Sequence, residues 1–241
     1  MSKKTILVTG ASSGIGQALA RRLAVEGHTV IALARDDKRL AATRTHPNIV
    51  TVVFDLLDTA AIEALAERLA AEFPALSVLV NNAAVQHDVR LDSSDFASGL
   101  ATDEITLNLV APILLTRYLL AHLARQPEAL IVNVASVLAL APKSSAAVYS
   151  ASKAGLVNFG AGLRNQLAGT AVVVTDVFPP VVDTAMTAGR STKKISPEEA
   201  AEVIARGISR RRQSVWIGRT RLLPVLMRVA PSLVRRMMRL S

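Results

Sequence analysis

The hydrophobic positions of this chain fall into two kinds of segment that alternate from one end to the other. "KTILVTG", "HTVIALA", "NIVTVVFD", "LSVLVNNA", "EALIVNVAS", "AVVVTDVFPP" and "SVWIG" are short, mostly unbroken apolar runs bounded by Gly, Pro, Asn, Asp or Ser. Between them Ala, Leu and Ile recur at helical spacing in "IGQALARRLAVEG", "TAAIEALAERLAAEFP", a long segment from about Asp103 to Arg125, "AVYSASKAGLVNFGAGLRNQLAG" and "SPEEAAEVIARGISRR". Apolar runs that do not alternate with polar residues are covered on both faces, as in a parallel sheet with helices on either side. Seven such strands, with no linker, repeat or low-complexity segment between them, predict one doubly wound α/β domain over residues 1–218 and a separate C-terminal segment over 219–241. The last predicted helix starts at Pro197, and Glu198, Glu199 and Glu202 complement the positive end of its dipole.

Composition narrows this picture. Hydrophobic residues make up 51% of the 241 positions and aromatics only 3%, so the core must be aliphatic. There is no cysteine, which excludes disulfides and thiol chemistry and suits the cytosol. Four scattered histidines show no ligand spacing, so no metal is expected. No uncharged apolar run reaches about 18 residues, and the apolar stretch in "MSKKTILVTG" is too short for a secretion signal. A cytoplasmic protein is therefore expected, with peripheral contact at the inner face of the membrane left open by its C-terminal segment.

The formal charge of +9 is not spread along the chain. Residues 203–241 hold ten arginines and no acid, whereas the first 202 residues carry 18 basic and 19 acidic groups. At helical spacing Leu222, Leu226, Val229, Leu233, Met237 and Leu240 share one side of this segment, and Arg221, Arg228, Arg235 and Arg239 lie on its flank. That pattern fits packing against the body or another subunit, or an anionic membrane surface; Pro224 and Pro231 interrupt it. No nucleic-acid-reading motif accompanies the arginines, so nucleic acid is not expected as a partner.

Three places carry candidate chemistry. "VTGASSGIGQALA" puts Gly10, Gly14 and Gly16 between the first strand and its helix. There a tight turn lets backbone N–H groups and a helix N-terminus approach a pyrophosphate, although the spacing is G-x-x-x-G-x-G. The second strand ends in "ALARDD", with Arg35 where NAD-binding folds usually carry an acid. Arg35 suits a 2′-phosphate, so NADP(H) is favoured over NAD(H); the alternative is a solvated Arg35 with Asp36 capping the next helix. "YSASK" places Tyr149 and Lys153 on one helix face, where a cation favours the phenolate. Ser136 ends the strand "LIVNVAS", in position to donate to a carbonyl oxygen as charge develops on it. Ser150, Ala151 and Ser152 are small enough for their helix to lie close to a cofactor, and residues 181–196 read as a flexible lid.

In this order "TGASSGIG", "FDLLD", "NNAA", Asn108 in "TLNLVAP", Ser136, "YSASK" and "PPVVDT" resemble the short-chain dehydrogenase/reductase family, from Lys4 to about Gly218. The resemblance implies a seven-stranded Rossmann-type sheet and hydride transfer between NAD(P) and a small-molecule alcohol or carbonyl. It implies that Tyr149 is the general acid or base, that Lys153 binds the nicotinamide ribose and lowers the tyrosine pKa, that Ser136 holds the substrate oxygen, and that Asn108 anchors a water. It further implies cofactor contacts from the turn residues Gly10, Ser12, Ser13, Gly14, Ile15 and Gly16, from Asp55 and Leu56 beside adenine, from Asn82, Ala83 and Ala84, from Tyr149 and Lys153, and from Pro179, Val182 and Thr184. A homodimer or homotetramer is the implied assembly. Two positions depart from the family pattern: Ala84 replaces a glycine after "NNA", and Pro180 replaces the glycine of Pro-Gly. "LSVLVNNAAVQ", "LARQPEALIVNVAS" and "PPVVDT" resemble, more narrowly, the bacterial oxidoreductases named for teichoic-acid D-alanylation operons. The competing reading is a Rossmann module that senses NADP(H) and docks through its basic tail.

Overall fold

The computed structural model describes residues 3–190 and 193–232. Its seven strands are β1 (Thr5–Thr9), β2 (Thr29–Ala34), β3 (Ile49–Val53), β4 (Leu76–Asn81), β5 (Ala129–Val134), β6 (Val172–Phe178) and β7 (Ser214–Trp216). They form one sheet in the order β3-β2-β1-β4-β5-β6-β7, and every pairing is parallel. This is the doubly wound architecture that the alternating pattern predicts, with the strand order reversing between β1 and β4.

Side chains alternate across the sheet and so build two cores. On one face Ile6, Val8, Val30 and Val132 pack with Leu19 and Leu23 of α1 (Gly14–Val25) and Ile204 and Ile208 of α7 (Pro197–Ser209). On the other, Leu7, Ile31, Leu79 and Ile131 meet α3 (Ile62–Glu72), α5 (Ala111–Ala124) and Leu163 of α6 (Ala147–Gln166). Aliphatic residues do nearly all of this packing, as the scarcity of aromatics requires. One aromatic pair stands out: Phe178 and Trp216 stack with centroids 3.9 Å apart and tie β7 to β6.

The long helix starts earlier than its pattern predicts. It comprises α4 (Ser98–Ile105), a π-turn over Thr106–Val110, and α5. By length and a mean hydropathy of 1.4, Ser98–Ala124 could cross a membrane. Its apolar residues have another use: Leu115, Leu119 and Leu123 are fully buried in the core beneath the sheet.

Two shorter helices follow β2 and β7. A short helix, α2 (Asp37–Ala41), follows β2, and Asp36 does cap it, accepting a hydrogen bond from Arg39 N at 3.0 Å. After β7 come a 3₁₀ segment, Gly218–Leu222, and α8 (Leu223–Val229). Of the predicted amphipathic tail, Leu233, Arg235, Met237, Arg239 and Leu240 lie outside the described residues.

Candidate active site

The carboxyl ends of the strands open onto a cavity of about 790 Å³, reaching from Arg35 and Asp55 at one end to Ser136 and Tyr149 at the other. Of the residues singled out from the sequence, Gly10, Ser12, Ser13, Gly14, Ile15, Arg35, Asp55, Leu56, Asn82, Ala83, Ala84, Ser136, Tyr149, Lys153, Pro179, Val182 and Thr184 all line it. Gly16 and Asn108 do not.

The glycine turn has two distinct jobs. Gly10 and Gly14 adopt φ of +65° and +53°, a backbone region that disfavours side chains. A Cβ on Gly10 would sit 2.8 Å from Ala83 Cα, and one on Gly14 2.9 Å from Thr184 Cγ2. Gly16 instead faces inward, where a Cβ would strike the Gly10 carbonyl oxygen and the Asn82 side chain, so it serves the approach of α1 to the sheet. The N-cap, Ser13, makes no side-chain capping bond, and the first turn of α1 carries no acid. Its free N–H groups and positive dipole end therefore suit an anion in the cavity. Asn82 locks the turn by donating to the Thr9 carbonyl at 2.8 Å, while Thr9 Oγ1 accepts from Asn82 N and Ala83 N. Thr9 was not singled out from the sequence.

At the β2 end a second arginine, Arg39, joins Arg35 in the cavity wall. It belongs to α2, a helix too short to show periodicity. Asp55 also lines the cavity, and its carboxylate accepts a hydrogen bond from Leu57 N. These features make an extended cradle with a cationic end and a helix N-terminus midway, which fits a dinucleotide.

At the other end Tyr149 and Lys153 are buried side by side on α6, with Lys153 Nζ 5.8 Å from the tyrosine ring centroid. Lys153 Nζ donates to the Val134 carbonyl at 2.8 Å, and Ser136 Oγ accepts from Leu138 N at 3.1 Å, keeping the serine proton free to donate. Burial pushes the Tyr149 phenol up to about 12 against an opposing hydrogen bond with Ser136, and burial pulls the Lys153 ammonium down to about 8. The expected lowering of the phenol by Lys153 does not operate: desolvation sets the direction, the downward pulls come from Ser136 and Arg190, and Tyr149 stands protonated at neutral pH.

Asn108 sits in the π-turn with its side chain fully engaged. Its Oδ1 accepts from Val85 N at 2.9 Å, and its Nδ2 donates to Val85 O at 2.8 Å and Ser152 Oγ at 3.1 Å. It is buttress rather than lining, holding the loop after β4 against α6. Of the small residues in "YSASK", Ser152 serves this contact, Ser150 is buried and donates to Ala146 O of its own helix, and Ala151 is exposed; none of the three lines the cavity, although Tyr149 and Lys153 of the same helix do. A Cβ on Gly155 would meet Leu109 at 2.9 Å.

The loop after β4 is pinned at further points. Glu104, buried and with its carboxyl raised chiefly by that burial, accepts from His87 N at 3.0 Å. Asp88 then gathers three partners from two other loops: Lys143 Nζ at 3.0 Å and the Ser145 hydroxyl from the segment after β5, and Arg190 Nε at 3.3 Å from the lid. In the described part of the segment 181–196, with Ser191 and Thr192 outside the described residues, Val182 bridges Ile195, Ala185–Thr187 forms a 3₁₀ turn, and Lys194 donates to Thr187 O at 2.8 Å. Arg219 and Thr220, expected to belong to a separate C-terminal segment, complete the cavity wall.

No group of three or more His, Asp or Glu residues that could hold a metal occurs among the described residues.

Comparison with known proteins agrees with this geometry. The model of a family described as short chain dehydrogenase matches residues 4–195. An uncharacterized oxidoreductase, DltE, of Bacillus subtilis is 39% identical over 222 residues, covering 89% of this chain and 88% of its own. A crystal structure of a short chain dehydrogenase from Burkholderia cenocepacia in complex with NADP superposes with a TM-score of 0.88 at 25% identity, covering 98% of both chains. A short-chain dehydrogenase from Sphingobium yanoikuyae in complex with NADPH gives a TM-score of 0.79 at 27% identity, over 88% of this chain and 87% of that one. With a family match over most of its length and a nicotinamide-binding cradle leading to a buried tyrosine and lysine, this chain belongs to the short-chain dehydrogenase family and is an oxidoreductase.

Proposed function

We propose that this protein is an NADPH-dependent carbonyl reductase, reversible as an alcohol dehydrogenase, acting on a small-molecule carbonyl. The observation that carries the reading is the shared cavity of Tyr149, Ser136 and Lys153 with the glycine turn. When bound, NADPH supplies the hydride. Tyr149 then gives its proton to the oxygen on which negative charge develops, because an alkoxide is a far stronger base than a phenolate even when the phenol is raised to about 12. Ser136 donates a hydrogen bond to that same oxygen, and its own acceptance from Leu138 N holds the hydroxyl in place. Lys153, with one proton committed to Val134 O, has two left for the ribose hydroxyls, and its charge favours the phenolate left after transfer. Asn108 acts as a positioning residue through Val85 and Ser152. A pure sensor needs none of this proton-transfer set, which favours the enzyme. The direct test is NADPH and NADH oxidation across a panel of aryl ketones, aldehydes, diketones and cyclic imines. Turnover with NADPH supports the reading; firm NADPH binding with no turnover on any member argues for the sensor.

The preference for NADPH rests on Arg35 and Arg39 at the cationic end of the cavity. A hydrogen bond to a charged group contributes roughly 1.5–3 kcal/mol, so Arg35→Ala should weaken NADPH binding by about tenfold to a hundredfold and NADH binding by about twofold or less. Titration of both cofactors checks this, and an equal loss for the two would refute the preference.

The Asp88 clasp gives a separate expectation. Asp88→Asn removes the charge that draws Lys143 and Arg190 together over the substrate end. With the loops no longer tied by that charge, KM for the carbonyl should rise about tenfold while NADPH affinity stays within about twofold. Steady-state kinetics with varied carbonyl would expose an unchanged KM, which counts against the clasp.

A further inference from the structure

Among the described residues, the segment that follows β7 leaves an apolar face uncovered. Leu222, Val225, Leu226 and Val229 are 63%, 61%, 45% and 77% exposed, in a protein whose other large aliphatic side chains are mostly buried. At helical spacing these four fall within roughly 100° of arc, while Leu223 and Met227 on the other side are half-buried. A contiguous stripe of this kind marks an interaction surface, not scattered surface hydrophobics.

The charge beside the stripe has one sign. Arg219, Arg221 and Arg228 flank it, and no acidic residue occurs anywhere after Glu202, while the first 202 residues are close to neutral. We propose that this face docks the protein on an anionic lipid bilayer, with the apolar stripe in the interface and the arginines on the headgroup phosphates. A second copy fits poorly, because pairing this face with itself would bring the arginines of one copy, Arg221 and Arg228, beside those of the other. Nucleic acid would match the arginines but gives the four aliphatic side chains nothing to enter. The inference is independent of the reaction proposed above. It carries a consequence for that site: Arg219 and Thr220 line the cavity and lead directly into the stripe, so docking brings the cavity beside the lipid surface.

The test uses the full-length protein sedimented with phosphatidylglycerol–phosphatidylcholine vesicles and with pure phosphatidylcholine vesicles. Wild type should partition at least tenfold more strongly onto the anionic vesicles. Arg221→Ala with Arg228→Ala should weaken that partitioning by about 25-fold, at about fivefold per arginine near the surface. Leu226→Asp with Val229→Asp should abolish it, with thermal unfolding unchanged because both side chains are exposed. Wild type remaining in the supernatant, or the aspartate variant sedimenting like wild type, overturns the proposal. So does a change in oligomeric size caused by the aspartate pair without vesicle binding, which would assign the face to a second copy. Equal retention of wild type and the aspartate pair on an immobilised polyanion or acidic protein, again without vesicle binding, would assign the arginines to that partner instead.

Discussion

Tyr149→Phe is expected to lower the rate of carbonyl reduction by about 10²- to 10⁴-fold while NADPH affinity stays within about twofold. The substitution removes one oxygen from a buried ring and leaves the ring beside Lys153 in place. The fold therefore keeps its packing, and the proposed dinucleotide contacts of the glycine turn, Arg35 and Lys153 are untouched. What disappears is the proton for the developing alkoxide. Water is a poor substitute in a site where the phenol is buried and Ser136 already has a backbone partner. Single-turnover reduction with NADPH bound separates the two effects, and a variant turning over within tenfold of wild type would sink the assignment. The pH dependence carries the same logic with its sign. Tyr149, raised to about 12, stays protonated throughout the working range, so it does not set the alkaline limb. Lys153 is charged below about 8 and neutral above it. Its charge is what favours the phenolate product, so kcat/KM for reduction should fall as pH rises through about 8, and Lys153→Met should flatten that limb.

The second large effect is on stability and arises beneath the site. Asn81, Asn133 and Asp176 are register partners on β4, β5 and β6 and form a buried polar line across the sheet. Asn81 Nδ2 donates to Asn133 Oδ1 at 3.0 Å, Asn133 Nδ2 donates to Asp176 Oδ1 at 3.2 Å, and Arg164 NH1 of α6 donates to Asp176 Oδ2 at 2.8 Å. Gly160 is small because a Cβ there would lie 2.6 Å from the same carboxylate. Asp176→Ala strips acceptors from Arg164 and Asn133 in the interior and should cost about 3–5 kcal/mol, a fall in Tm of roughly 10 °C for a chain of this size. Asp176→Asn should cost only about 1 kcal/mol. The amide line can reverse its direction by turning the Asn133 and Asn81 amides over, so that the new amide donates to Asn133 and Asn133 to Asn81, while Arg164 keeps an oxygen acceptor. Burial raises the Asp176 carboxyl against the pull of Arg164 and Asn133. Wild type therefore loses stability as pH climbs from the ordinary carboxylate range through that raised value, a dependence the Asn variant should lack. Urea unfolding of the three proteins checks both points. An alanine variant within about 1 kcal/mol of wild type would contradict the account.

The chain's own pattern determined a good deal. Unbroken apolar runs between amphipathic helices specify a parallel sheet because only strands covered on both faces need them, and all seven strands lie where those runs lie. The glycine turn, Arg35, Ser136, Tyr149 and Lys153 were legible because each is local: a turn, a strand end, or an i, i+4 pair on one helix. Tertiary structure alone decided what depends on distant residues meeting. Arg39 reaches the cavity from a helix of five residues, too short to leave a period in the sequence. The π-turn that sets Asn108 against Val85 inserts no residue type that would betray it. Asp88, Lys143, Ser145 and Arg190 come from three loops, and Asn81, Asn133 and Asp176 from three strands. The Tyr149 phenol rises rather than falls because burial is a property of the whole fold, and no spacing of a tyrosine and a lysine encodes how much water the fold excludes.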